Sequence, residues 1–192
     1  MAKYKVLKKQ NSSKSCLVCG TQNELGLKAD FYELENGELV SICNTKDWHQ
    51  SYPGRVHGGM SAAILDETIG RAVSINDDQI WGVTVSLELK YKKPVPTDAT
   101  IKVVGRITKE NRKLFEGTGE IILPNGDIAV TATGKYMKMP IGQIAEGDFS
   151  NEEWFFEESK EKVEYIEPVS YPHLTLPPVP PVLVSVCVVA SE

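Results

Sequence analysis

The fold is decided by residues 58–73, which read GGMSAAILDETIGRAV. This stretch predicts one helix over Gly58 to Val73, and its apolar residues fall on nearly every side of it. They are Met60, Ala62, Ala63, Ile64, Leu65, Ile69, Ala72 and Val73. A helix with this distribution has to be enclosed by other elements of its own domain.

Strands are predicted on both sides of the helix. Before it, alternation over 27–32 and a second run over 39–43, joined by an Asn-Gly turn, predict a hairpin. After it, strands are predicted over 83–91, 99–109, 114–123 and 128–139. Two strands, one helix and four strands predict an α+β architecture, in which a curled antiparallel sheet wraps around a single central helix.

The strand over 83–91 has the clearest alternation. Val83, Val85, Leu87, Leu89 and Tyr91 share one predicted face. The other face carries Thr84, Ser86, Glu88 and Lys90. The pattern predicts a half-buried strand, with Thr84 and Tyr91 on opposite faces.

Composition and charge narrow the class of protein. The 192 residues carry 21 Lys and Arg against 26 Asp and Glu, a net charge of −5, which argues against a nucleic-acid partner. The lysine-rich start lacks the apolar run of a secretory signal, so we expect a cytoplasmic protein. Four prolines interrupt the apolar run 174–190, and we predict no membrane span.

Composition also divides the chain. We expect an N-terminal lead over 1–15 and the main domain over 16–140. An acidic, aromatic extension follows over 141–167, where the spacing of apolar residues predicts an amphipathic helix. The Pro- and Val-rich tail over 168–192 is predicted to be disordered or foreign to the domain.

Two acids interrupt the central helix, and only one has an obvious structural partner. Glu67 can pair with Arg71 one turn later. Asp66 has apolar neighbours at helical spacing and no cation on its own stripe. Because burying an unpaired carboxylate costs free energy, Asp66 is a candidate functional residue. A carboxylate capped by backbone groups or facing solvent is the alternative.

The start of the helix is a second candidate site. Gly58 and Gly59 follow His57 and leave backbone N–H groups free at the positive end of the helix. Such groups can hold the negative charge that develops on a carbonyl oxygen, although a plain helix cap would have the same sequence. Gly58 and Asp66 are about 12 Å apart along the helix axis. A substrate therefore has to lie along the helix or contact groups from a partner chain.

Three motifs together resemble one protein family. They are Pro53–Met60 followed by Leu65-Asp66-Glu67; Cys16-x-x-Cys19-Gly20-x-x-Asn23-x-x-Gly26-Leu27; and Thr84-x-x-Leu87-x-Leu89-x-Tyr91-x-Lys93-Pro94-Val95-Pro96. The first resembles the signature of hotdog-fold acyl-CoA thioesterases of the PaaI-like type. The second resembles the opening motif of one branch, and the third resembles the strand after the helix. The likeness covers about residues 16–139.

The resemblance implies acyl-CoA thioester hydrolysis and a set of roles. The Gly58 N–H would polarise the thioester carbonyl, Asp66 would activate water or attack directly, and His57 would order the loop. The site would lie between two subunits of a homodimer or a dimer of dimers, with the Thr84 hydroxyl coming from the partner strand. No cofactor is implied.

Substrate contacts are predicted at both sides of the helix start. They are Gly59, Gln50 and Ser51 before or at the helix, and Lys92 and Lys93 after the long strand. Ser51 stands where some family members have Asn, and the two lysines would contact the phosphates of CoA. Solvated lysines at a strand end are the alternative.

Other chemistries fit the sequence less well. The stretch 59–63 lacks the last glycine of a serine-hydrolase elbow. A zinc site built from Cys16, Cys19, Cys43 and His49 is less favoured than packed thiols, so no metal is expected. Hydration of enoyl-CoA would need an Asp and His pair at a different spacing. An acyl-CoA-binding hotdog domain without turnover remains the alternative function.

Overall fold

An antiparallel sheet of eight strands packs around one helix in the computed structural model, which describes residues 3–149, 153–157 and 163–168. The helix α1 spans Gly58–Arg71. The strands are β1 (Tyr4–Lys9), β2 (Ser12–Ser13), β3 (Asp30–Leu34), β4 (Leu39–Asn44), β5 (Gln50–Tyr52), β6 (Arg55–Val56), β7 (Ile80–Tyr91), β8 (Thr100–Glu110), β9 (Leu114–Ile122), β10 (Ile128–Pro140), β11 (Trp154–Phe155) and β12 (Tyr165–Ile166). The α+β architecture is confirmed.

The large sheet has the order β12-β1-β3-β4-β8-β9-β10-β7, and β2 with β11 and β5 with β6 form two small separate pairs. Short 3-10 turns span Asp47–His49, Ala72–Ile75 and Ile141–Gln143. The helix packs on β4, β7, β8, β9 and β10. The order places β7 at one end of the sheet, with β10 as its neighbour on the inner side.

Glycines in the sheet let the helix pack directly against the backbone of the strands. A Cβ atom on Gly105 would lie 2.8 Å from the Thr68 carbonyl oxygen, and one on Gly117 would lie 2.6 Å from Cγ2 of Ile69. Ile64, Leu65 and Ile69 of α1 are at most 1% exposed and form the centre of the core. Close packing of this kind is what an almost wholly apolar helix requires.

A β-bulge in β7 changes the predicted faces of that strand. Lys135 and Tyr136 of β10 pair with Ser86 and Thr84, so Val85 has no partner in the register. An extra residue exchanges the two faces of a strand at that point. Thr84 and Tyr91 therefore both contact α1, while Val85 is 54% exposed. The strict alternation predicted over 83–91 is wrong at this position.

The chain ends differ from the predicted divisions. Residues 4–9 are a strand of the large sheet, β1, and not a lead outside the domain. Short strands occupy Trp154–Phe155 and Tyr165–Ile166 in the extension predicted to be helical, because these residues pair with β2 and β1. The tail beyond residue 168 lies outside the described residues. No helix in the described ranges combines the length and apolar character needed to span a bilayer.

Candidate active site

Asp66 lies in the middle of α1, where two hydroxyl groups bind its carboxylate. Thr84 Oγ1 lies 2.9 Å from Oδ1 and 3.1 Å from Oδ2. The Tyr136 hydroxyl lies 3.1 Å from Oδ1 and 3.2 Å from the Asp66 carbonyl oxygen. Within the described residues no cation lies at ion-pair distance from Asp66. Its charge is held by hydrogen bonds from hydroxyl groups.

Thr84 belongs to the same chain as Asp66. We expected its hydroxyl to come from a partner strand, but β7 packs directly on α1 and the bulge at Val85 turns Thr84 toward the helix. Asp66 and Thr84 are therefore in contact within one chain.

The contact of Tyr136 with Asp66 was not predicted from the sequence. Tyr136 is fully buried, and its ring stacks on Phe115 at 4.9 Å. Burial raises the pKa of Tyr136, and the negative charge of Asp66 raises it further. The hydroxyl therefore remains a protonated donor to Asp66 at any ordinary pH. Alternation with buried Val130 and Ala132 predicts that Tyr136 faces inward, but its contact with Asp66 depends on the separation of helix and sheet.

The other end of the site is the start of α1. His57 is the N-cap, and its Nδ1 accepts a 2.9 Å hydrogen bond from the Gly59 N–H. The Gly59 N–H is thus already used, which argues against its predicted contact with substrate. Among the described residues we find no acceptor for the Gly58 N–H. The predicted role of His57 in ordering the loop is consistent with this cap.

Buried His49 fixes the loop before the helix. It is 2% exposed; Nδ1 accepts from the Lys46 N–H at 3.0 Å, and Nε2 lies 3.1 Å from the Leu25 carbonyl oxygen. The carbonyl oxygen of His49 accepts a 2.7 Å hydrogen bond from the His57 N–H. Its ring therefore has a structural role.

The two ends of β7 contact the two ends of the site. Tyr91 donates a 2.9 Å hydrogen bond from its hydroxyl to the Gly58 carbonyl oxygen, just as Thr84 bonds Asp66. We call Asp66 with Thr84 and Tyr136 the acid pole, and Gly58 with Tyr91 the amide pole. The poles are about two helical turns apart, so one chain does not bring them together.

A cavity of about 300 Å³ borders the acid pole. Its lining includes Asp66, Thr84, Gly82, Cys16 and Cys19. An aromatic cluster forms another wall: Trp81 and Trp154 have ring centroids 4.7 Å apart, and Phe149 lies 5.5 Å from Trp81. A mostly apolar wall beside the Asp66 carboxylate suits the apolar part of a small ligand.

The predicted substrate contacts lie elsewhere. Gln50 and Ser51 are exposed on the β5–β6 hairpin and do not line the cavity. Lys92 and Lys93 follow β7 at the amide pole, and both backbone N–H groups donate to the Ala129 carbonyl oxygen. The Lys93 ammonium pairs with Asp127 at 2.7 Å, and both lysines are exposed.

The cysteines do not form the zinc set considered from the sequence. Cys16 and Cys19 lie together with Glu67, with one potential ligand atom from each within 4.8 Å of the others. In the described part of the chain, Cys43 and His49 belong to no such group. The predicted ion pair of Glu67 with Arg71 is confirmed at 2.8 Å.

The match to a family of known proteins covers the helix α1 and the strands β7, β8 and β9. A sequence model of the thioesterase superfamily matches residues 53–130, a span that includes Gly58, Asp66 and Thr84. Acyl-coenzyme A thioesterase THEM4 of Mus musculus is 31% identical over 112 residues, 58% of this chain and 47% of the mouse protein. The chain spans about half the length of this curated relative. The Cys16–Leu27 motif lies before the family match, so its assignment to a branch stays a prediction.

Solved structures show the same fold. The crystal structure of a thioesterase superfamily protein has a TM-score of 0.59 and 25% identity, covering 64% of this chain and 59% of the other. The PaaI protein of E. coli, from the phenylacetic acid degradation operon, has a TM-score of 0.53 and 15% identity, covering 59% of this chain and 80% of its own. The predicted hotdog fold is confirmed.

Proposed function

We propose that this chain, whose residues 53–130 match the sequence model of the thioesterase superfamily, is a hydrolase that cleaves acyl-CoA thioesters to a carboxylic acid and free CoA. The observation that carries the proposal is the Asp66 carboxylate. It is half-buried beside a cavity, held by two hydroxyl donors and, within the described residues, not neutralised by a cation. A carboxylate in this setting can take a proton from water or attack a carbonyl carbon. The name of the mouse relative supports the same reaction.

The two oxygens of Asp66 have different roles in this mechanism. Oδ1 accepts from both Tyr136 and Thr84, whereas Oδ2 has only the longer contact with Thr84. Oδ2 thus keeps more unused lone-pair capacity, and we assign it to the attacking water or, in direct attack, to the carbonyl carbon. Thr84 and Tyr136 position the carboxylate. The Gly58 N–H would stabilise the charge on the thioester oxygen.

We propose that the two poles meet across a homodimer. β7 ends the sheet, so one of its edges has backbone groups that no described strand pairs. A two-fold antiparallel pairing of β7 centred between Leu87 and Glu88 would place Thr84 opposite the partner subunit's Tyr91. The acid pole of each chain would then lie beside the amide pole of its partner. This proposal does not choose between a dimer and a dimer of dimers.

The remaining substrate contacts follow from this arrangement. Lys92 lies at the amide pole and forms no ion pair with any residue that the structure describes, whereas Lys93 is paired with Asp127. Lys92 is therefore better placed than Lys93 to bind a CoA phosphate. Gln50 and Ser51 lie on the hairpin before α1, where they would contact the substrate near its carbonyl group.

Asp66→Asn tests the reaction. We expect kcat for the best CoA ester to fall about 10²- to 10⁴-fold, because the amide cannot act as base or nucleophile. The measurement is release of free thiol from short, medium, long-chain and aromatic acyl-CoA esters, with ligand affinity measured in parallel. Asp98→Asn is the matched control, since Asp98 is exposed and Asn also tolerates its positive φ of 52°.

Two outcomes of that experiment contradict the proposal. Turnover by Asp66→Asn equal to that of Asp98→Asn would remove Asp66 from the mechanism. Binding of the esters by the wild type without any turnover would instead support an acyl-CoA-binding domain. In such a domain, Thr84 and Tyr136 would only satisfy the hydrogen-bonding capacity of a structural carboxylate, Asp66.

A further inference from the structure

A ring of four polar side chains lies beside the acid pole and has no part in the proposed hydrolysis. The Cys16 thiol donates to Glu67 Oε2 at 3.1 Å. Glu67 Oε1 accepts from Arg71 Nε at 2.9 Å, and Arg71 Nη2 lies 2.9 Å from Cys19 Sγ. The ring closes between the two cysteines, whose sulfur atoms lie within 4.8 Å of each other.

The local backbone holds both cysteines in one tight turn. The Gly20 N–H donates to the Cys16 carbonyl oxygen at 2.9 Å. A Cβ atom on Gly20 would lie 2.2 Å from that oxygen, so only glycine fits after the second cysteine. The Val18 N–H lies 3.3 Å from Cys16 Sγ, and the Ser13 N–H lies 3.4 Å from Cys19 Sγ. Each sulfur atom therefore has a backbone N–H donor beside it.

The position of Arg71 favours thiol chemistry over a metal site. Its guanidinium group lies between Cys19 and Glu67, two of the three candidate ligands, and already supplies the positive charge there. It is 7% exposed, stacks on Phe31 at 4.2 Å and Trp154 at 4.7 Å, and donates to the Asn11 carbonyl oxygen. A divalent cation would have to displace this anchored group.

The thiols differ in access and acidity. Cys16 is half-buried and lines the cavity, whereas Cys19 is 2% exposed. A hydrogen bond from the Cys19 thiol lowers the pKa of Cys16, although burial and Glu67 act in the opposite direction. The hydrogen bond to Cys16 and burial raise the pKa of Cys19. An accessible, more acidic first cysteine with a buried second one suits thiol–disulfide exchange.

We propose that Cys16 and Cys19 form a thiol–disulfide exchange site that low-molecular-weight disulfides such as glutathione disulfide oxidise. The Cys16 thiolate attacks one sulfur of the disulfide, forms a mixed disulfide and releases one thiolate. Cys19, losing its proton to solvent, then attacks the Cys16 sulfur, forms the Cys16–Cys19 bond and releases the second thiolate. The protein pair is oxidised by two electrons, and the small disulfide is reduced to two thiols.

Oxidation would change the wall of the cavity at the acid pole. The disulfide removes the thiol proton that Cys16 donates to Glu67, the neighbour of Asp66 in α1. In the cytoplasmic, reducing location that the sequence predicts, the resting state would be the dithiol. The exchange reaction itself does not depend on the proposed hydrolysis.

The test uses the full chain with Cys187, which lies outside the described residues, replaced by serine throughout. The protein is equilibrated in glutathione buffers of graded ratio, quenched with acid, alkylated and mapped by peptide mass. We expect Cys16 and Cys19 to lose alkylation together as the buffer becomes more oxidising. In Cys19→Ser, Cys16 should stop at a mixed disulfide with glutathione, and in Cys16→Ser, Cys19 should stay reduced.

Cys43 is the internal control. It is 3% exposed, and burial raises its pKa to about 12. When the folded, reduced protein is alkylated directly, without the acid quench, we expect Cys16 to react at least about 30-fold faster than Cys43. This figure allows for the weaker nucleophilicity of the more acidic thiolate. Equal rates would overturn the proposal. Full alkylation of both Cys16 and Cys19 after incubation with glutathione disulfide alone would also overturn it.

Discussion

At the scale of single residues, the site depends on which backbone and side-chain groups keep free hydrogen-bonding capacity. Asp66 receives hydroxyl donors from β7 and β10, and Oδ2 is the less satisfied oxygen. At the amide pole, His57 takes the Gly59 N–H, and within the described residues the Gly58 N–H has no acceptor. Each pole therefore offers one polar atom to a ligand.

Gly58→Pro tests the amide pole, because proline removes the N–H at a position where helices accept it. Gly58 is the first residue of α1, and His57 before it has an extended ψ of 135°, as a residue before proline requires. We expect kcat to fall about 10²- to 10³-fold, measured by free-thiol release. Gly58→Ala keeps the N–H, and its Cβ would lie 3.4 Å from the Tyr91 hydroxyl, so near-normal turnover is expected. Full activity in a folded Gly58→Pro protein would exclude this N–H as the donor.

At the scale of elements, period-two alternation predicted six of the eight strands of the large sheet, and it failed at one residue of β7. The apolar patterns predicted the helix, the two core strands before it and the four strands after it. These elements were predictable because each carries a long, regular apolar pattern. The bulge at Val85 has no sequence signal, since neither glycine nor proline marks it, yet it brings both Thr84 and Tyr91 to α1. The contact between Tyr136 and Asp66 depends on how closely β10 approaches the helix, which no local pattern reports.

Gly105→Ala tests the close contact of sheet and helix. The new Cβ would lie 2.8 Å from the Thr68 carbonyl oxygen, a backbone atom that cannot move without shifting α1. We expect the free energy of unfolding in denaturant to fall by about 1–3 kcal/mol. Gly142→Ala is the control, because nothing lies within 4 Å of its added Cβ and no positive φ is required there. Equal stability of the two variants would mean that the helix does not lie this close to β8.

At the scale of the whole molecule, the separation of the two poles determines how many chains one site needs. The acid pole and the amide pole lie at opposite ends of the same stretch of β7, and at each pole one hydroxyl group of β7 is hydrogen-bonded to α1. A two-fold axis through that stretch exchanges its ends, so a dimer paired there has two composite sites. A pairing through the other end of the sheet, at β12, would leave the poles of each chain apart.

Mixing of two inactive variants distinguishes these arrangements. The Asp66→Asn chain keeps a normal Gly58, and the Gly58→Pro chain keeps a normal Asp66. If each site combines one pole from each chain, a mixed dimer has one intact site and one site with both defects. Random assembly at equal amounts should therefore restore about one quarter of wild-type turnover. Co-expression with two affinity tags isolates the mixed dimer, whose turnover should be about half that of wild type. Turnover no higher than that of the separate variants would show that both poles of a site come from one chain.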